Sequence, residues 1–186
     1  MEVQQADLIP NVDLAFRKAD LRNVVPHDND PVVISLVTTG RRVHRVLVDQ
    51  GSSANVMFLT TFNQLQLSTD QLRPYTGCLY GFAGDKVEFR GHIELRTTFT
   101  NGASSRTTSI RYLIVNTLSA YNILLGRPSL NRLGAVPSTR HTKMKLPSLE
   151  KAVITIKSDA FASTAADMPG IDPDFLCHRV TIDPKV

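Results

Sequence analysis

Tryptophan is absent, and aromatic residues make up only 6% of the 186-residue chain. A core cannot be built around large rings, so burial has to rest on Val, Leu and Ile, whose short β-branched runs favour strands. Cysteine occurs twice, at Cys78 and Cys177. Two cysteines do not make a disulfide framework, and neither stands at a zinc-ligand spacing with a histidine. Free thiols in a reducing compartment are expected. The histidines (His27, His44, His92, His141 and His178) are dispersed, which suits surface positions and offers no metal site. No apolar stretch approaches the roughly 20 residues of a membrane span. Met1–Pro10 carries neither the basic nor the apolar region of a secretory signal. The expectation is an intracellular, cytoplasmic protein with no membrane partner. Lys and Arg number 21 against 17 Asp and Glu, a net charge of +4. There is no lysine block and no arginine stripe interleaved with aromatics, so this excess reads as a solvated surface and no nucleic-acid partner is expected.

What is present is an ordinary globular composition, 42% hydrophobic and 20% charged, enough for one domain with a sizeable core. Residues 1–29 are mixed and polar, a partly flexible lead-in ending in turn residues. Residues 30–157 carry the periodic pattern. Residues 158–186 lose it and read as a flexible tail. Within the domain, Val32–Val37 and Val43–Val48 flank a turn at Gly40–Arg42, a hairpin signature. Phe58–Leu67 spaces its apolar residues by three and four, which predicts a short helix. Cys78–Phe82 is strand-like, and Gly81–Asp85 is a glycine-bounded turn. Lys86–Thr100 alternates, with a disturbance at Gly91 that suits a bulge. Asn101-Gly102 is a hairpin signal, and Thr107–Val115 returns as a strand. Asn122–Leu125 is a short buried strand, and Ser129–Leu133 a short helix stopped by Gly134. His141–Leu146 and Ala152–Ile156 close the pattern as strands. Many short strands and one or two short helices predict an all-β, mainly antiparallel barrel or folded sheet.

The residues that invite chemistry are Asp49-Gln50-Gly51-Ser52-Ser53, placed directly after the apolar Val46-Leu47-Val48. A carboxylate at the end of a buried strand is costly unless it is hydrogen bonded or protonated. Gly51 permits a sharp turn there, and Ser52 and Ser53 supply hydroxyls to hold it. Taken alone, D-x-G-S-S suits an aspartate capping the following helix about as often as a catalytic one. Nothing in the sequence supports Ser52 or Ser53 as a nucleophile.

Three segments in order change that balance. Val46–Phe58 resembles the active-site turn of retroviral and retrotransposon aspartic proteases, the retropepsins. Leu124-Leu125-Gly126-Arg127 resembles their second signature, two apolar residues and Gly-Arg before a short helix. Tyr80-Gly81-Phe82-Ala83-Gly84 sits where the family has its flap hairpin. The wording of Asp49–Asn55, Leu79–Gly84 and Asn131–Val136 is similar to gypsy-type elements of plant genomes. Asp167–Pro173 and Cys177–Arg179 resemble the stretch leading into reverse transcriptase in such gag-pol polyproteins.

The resemblance implies a retropepsin-like acid-protease barrel and an aspartic endopeptidase. It would be a homodimer with one Asp49 from each chain, cleaving an extended peptide or polyprotein with water and without a metal or cofactor. Residues 80–84 would be the flap, with Tyr80 and Phe82 over the substrate, although ordinary hairpin packing explains these aromatics nearly as well. Gly126 would pack behind the catalytic turn, and Arg127 would meet an acid or a carbonyl near the dimer interface. Gln50 departs from the family, which usually has Ser or Thr there to link the two turns. Ser53 departs from members with an Asp paired to the arginine matching Arg127. A catalytically silent retropepsin fold, kept for dimerisation or peptide binding, is the competing expectation.

Overall fold

The computed structural model describes residues 9–22, 24, 30–77, 79–80 and 86–159. Strands β1 (Val33–Thr38) and β2 (Arg41–Val48) form the first hairpin. Thr38 pairs with Arg41, and Val37 with Arg42. The turn is therefore Thr39-Gly40, one residue earlier than the sequence pattern placed it. Both residues sit at positive φ, 50° and 73°, the geometry whose twist matches that of paired strands. Opposite Ser35, β2 carries two residues, His44 and Arg45, with Arg45 at φ 54°. This bulge turns two consecutive polar side chains outward and keeps Val43 and Val46 buried.

The remaining elements are β3 (Val56–Phe58), α1 (Leu59–Gln64), β4 (Leu79–Tyr80), β5 (Lys86–Val87), β6 (Phe89–Thr100), β7 (Ser105–Val115), β8 (Ile123–Leu125), α2 (Arg127–Leu133), β9 (Val136–Ser138), β10 (Lys143–Pro147) and β11 (Val153–Lys157). Six strands close a barrel in the order β1-β2-β8-β3-β7-β6, and a second sheet runs β11-β10-β9. The β2–β8 and β3–β7 pairs are parallel, and the other ladders are antiparallel. The all-β, mainly antiparallel expectation holds. The core is aliphatic apart from Phe62, Phe99 and Tyr112, all fully buried, as the scarcity of aromatics requires.

The bulge lies where Gly91 suggested: the β6–β7 register shifts between Phe89 and His92. Gly91 has φ 140°, and a Cβ there would lie 2.7 Å from the Arg73 carbonyl oxygen. Gly134 ends α2 in the left-handed conformation, φ 60°, as its sequence position predicted. Three features differ from the sequence reading. Strand β3 occupies Val56–Phe58, so α1 starts only at Leu59 and ends before Gln66, which has φ 58°. Helix α2 starts two residues early, at Arg127, because Pro128 fits a first helical turn. Strand β9 was not foreseen, being short and interrupted by Pro137.

Buried Arg106 fastens α2 to the second sheet. Its guanidinium donates to Leu133 O at 2.8 Å and Pro147 O at 3.1 Å, which suits a cation at a helix C-terminus. The Lys145 ammonium donates to Ala15 O at 2.7 Å and pairs with the Asp20 carboxylate at 2.8 Å. Lys143 donates to the Asp20 carbonyl. Residues Ala15–Asp20 are thereby drawn onto β10, where Phe16 stacks on His141 at 4.8 Å. The Lys145 hydrogen bond, followed by one from the Arg17 amide, holds the Asp20 carboxyl below the usual carboxylate range. At the other end of the domain, the Asp159 amide donates to Val33 O at 2.7 Å.

Candidate active site

Strand β2 buries Val43 and Val46 and then delivers Asp49 to a partly exposed position. Its neighbour β8 runs parallel, with Val48 opposite Leu125, and the ladder carries one bond further: the Asp49 amide donates to Leu125 O at 3.0 Å. The chain then reverses. The Ser52 amide donates to Asp49 O at 3.3 Å, and the Gly51 amide donates to the Asp49 Oδ1 at 2.8 Å. A Cβ on Gly51 would stand 3.1 Å from that same oxygen, so glycine leaves the carboxylate room to accept the bond. Hydrogen bonding to the ionised form compensates a charge placed at the end of an apolar strand. The opposite carboxylate oxygen has no partner among the described residues, so it is available to a water or a second acid.

Ser52 braces the turn: its hydroxyl donates to Ala54 O at 2.9 Å and accepts from the Ala54 amide at 3.4 Å. Gln50, Gly51 and Ser53 are exposed, and Ser52 is partly buried. Leu125 is fully buried and Gly126 is buried behind the turn, whereas Leu124 is partly buried. A Cβ on Gly126 would overlap the Ala54 carbonyl oxygen and approach Ser52 O at 3.0 Å. The close packing foreseen for Gly126 is therefore present. Arg127 is exposed at the start of α2, and its amide donates to Ser52 O at 3.0 Å. The two signatures, 77 residues apart from Asp49 to Gly126 in sequence, meet as one backbone-linked unit.

Strands β4 and β5 pair antiparallel, Leu79 with Val87 and Tyr80 with Lys86. They bracket the segment expected to form the flap. Gly81, Phe82, Ala83 and Gly84 lie outside the described residues.

Two asparagines that sequence reasoning passed over hold this unit. Asn55, 6% exposed, accepts from the Gly126 amide at 3.0 Å and donates to Arg111 O at 3.1 Å. Asn122 accepts from the Thr61 hydroxyl at 3.1 Å and donates to His44 O at 2.8 Å, fixing the start of β8 against β2 and α1. The available signal was a carboxamide beside a buried apolar run, because such a group must find partners inside. Among the described residues no cluster of three or more His, Cys, Asp or Glu could hold a metal. No helix among them is long and apolar enough to cross a membrane.

A six-stranded barrel with an Asp-x-Gly turn braced by a Gly-Arg strand end is the retropepsin-like acid-protease fold. One solved structure bears this fold out. The retroviral protease-like domain of Ddi1 from Leishmania major is similar at TM-score 0.53 and 13% identity, over 75% of this chain and 98% of that one. The EIAV protease complexed with the inhibitor HBY-793 matches at TM-score 0.43 and 22% identity, over 62% and 99%. A retropepsin-like aspartic protease from Rickettsia conorii matches at TM-score 0.41 and 16% identity, over 67% and 80%. No family model matches the sequence, and no curated protein matches it.

Proposed function

We propose that the chain is an aspartic endopeptidase that works as a homodimer, one Asp49 from each protomer, on an extended peptide. The observation that carries this reading is the partly exposed Asp49 carboxylate, held by the Gly51 amide at 2.8 Å within a retropepsin-like fold. The sequence holds a single Asp-x-Gly, so a pair of carboxylates requires a two-fold axis at the turn. Two carboxylates in contact cannot both ionise, and the pair keeps one proton. The ionised member removes a proton from a water while the protonated member hydrogen bonds to the scissile carbonyl. The water oxygen bonds to the carbonyl carbon. Collapse of the resulting diol breaks the C–N bond, and a proton passes to the departing amine. Activity is expected on the acid side of neutral.

The β4–β5 ladder supports a flap that receives the peptide by strand addition. Gln50, exposed beside Asp49, offers an amide that both donates and accepts, and so suits a link to the partner's turn in place of the usual hydroxyl. The gypsy-like wording of residues 49–55 and 131–136 supports an origin in a plant retrotransposon polyprotein, with that polyprotein as substrate.

The test is cleavage of a diverse peptide mixture at acidic pH, read by mass spectrometry. Cleavage is expected from the wild-type chain and not from Asp49→Asn, and a statine-type transition-state inhibitor should abolish it. A folded dimer that cleaves nothing would overturn the proposal in favour of a silent peptide-binding fold.

A further inference from the structure

A single peptide group joins the catalytic turn to β8, and it is held from both sides. Its carbonyl, on Leu125, accepts from the Asp49 amide at 3.0 Å. Its N–H, on Gly126, donates to Asn55 Oδ1 at 3.0 Å. A peptide unit is planar and rigid, so a tilt imposed at the N–H is transmitted to the carbonyl that supports Asp49. Asn55 is fixed in turn. Its Nδ2 donates to Arg111 O at 3.1 Å, its own carbonyl accepts from the Leu113 amide at 2.9 Å, and the residue is 6% exposed.

We propose that Asn55 is a positioning residue for Asp49, setting the plane of the Leu125–Gly126 peptide and through it the orientation of the catalytic carboxylate. The inference rests on the aspartic-protease reading of Asp49. The residue type follows from its partners. One end of the side chain must accept and the other must donate, which a carboxamide does. A serine or threonine hydroxyl is too short to span both sites. An ionised carboxylate would face the Arg111 carbonyl with no proton to offer. A leucine would fill the volume and leave the buried Gly126 N–H and the Arg111 carbonyl without their side-chain partner.

The test compares Asn55→Leu and Asn55→Asp with the wild-type chain, counting active sites by titration with a statine-type inhibitor. In Asn55→Leu, kcat per titrated site is expected to fall about ten- to hundredfold, since a misplacement on the order of 1 Å costs about a hundredfold. KM should move by no more than about threefold, because the loss is in turnover and not in peptide binding. Hydrogen exchange at the Gly126 amide should quicken in the same variant. Asn55→Asp, assayed in acid, keeps an acceptor for Gly126 and should retain more of the turnover. It also serves as the folded variant if the leucine substitution prevents folding. Wild-type kcat per titrated site with only a lower melting temperature would overturn the proposal, and so would unchanged Gly126 exchange. If the wild-type chain cleaves nothing, the protease reading fails separately. The link is then read from Gly126 exchange and the Asp49 carboxyl NMR resonance, and overturned if neither differs between wild type and variant.

Discussion

Gly126 has no room for a side chain, and the obstacle is backbone. A Cβ would overlap the Ala54 carbonyl and crowd Ser52 O at 3.0 Å, and neither can swing aside as the end of a flexible side chain would. Gly126→Ala should therefore destabilise the fold by about 2–3 kcal/mol, in the range of overpacked cores, with loss of cleavage beyond the loss of folded protein. Thermal melts alongside the peptide assay check both. At this scale the sequence was informative where chemistry leaves a short motif. Asp49-Gln50-Gly51 and Leu125-Gly126-Arg127 were visible as words, and their packing together was what the family resemblance implied. Asn55 and Asn122 were not visible as site residues, because their value lies in partners that are distant in the chain: Arg111 O and Gly126 N for one, Thr61 and His44 O for the other. Nothing in the spacing of a single carboxamide states where its partners will be.

Among the elements, β10 is the one whose surroundings are least local. Its Lys143 and Lys145 are buried, 5% and 8% exposed, and their ammonium groups are satisfied by Ala15 and Asp20 of the leading segment. The Asp20 carboxyl titrates below its ordinary value, chiefly through the Lys145 hydrogen bond. A depressed folded-state pKa gives stabilisation that is present above the unfolded value and lost as pH falls through the folded one. Asp20→Asn should accordingly be less stable than wild type near neutral pH. The gap should close as the medium is acidified below the ordinary carboxylate range. Denaturant melts of both chains across that range check this, and a gap independent of pH would refute it. Element types were legible where periodicity was long, as in β6 and β7, and where turn chemistry was strong, as at Gly40, Gly91 and Gly134. Strands β3 and β9 are three residues each, too short to show a period. Residues 15–20 carry no periodic signal, because what holds them is two lysines more than a hundred residues away.

At the scale of the whole molecule, the proposed function makes activity a property of pairs, since each chain holds one Asp-x-Gly. Specific activity should fall on dilution below the dimer dissociation constant. Adding an equal amount of Asp49→Asn chain and letting the protomers exchange should cut the rate to about half, because only pairs of wild-type chains carry two competent carboxylates. A rate indifferent to the added chain would mean that the protomer does not act in pairs. A mainly antiparallel barrel or folded sheet was legible in the alternation of the strands, and the family resemblance pointed to the barrel. The β2–β8 and β3–β7 parallel pairs were not, since parallel pairing needs distant segments and leaves no adjacent turn signal.

The strand order also sets a timetable. The β1–β2 and β6–β7 hairpins join neighbours in sequence and can form early, but β2 meets β8 only when Val46 finds Ile123, and contacts of such long separation form slowly. Until β8 arrives, Asp49 lacks the Leu125 carbonyl, the Gly126 wall and the Asn55 brace. The supports of the Asp49 turn are complete only once β8 has taken its place between β2 and β3.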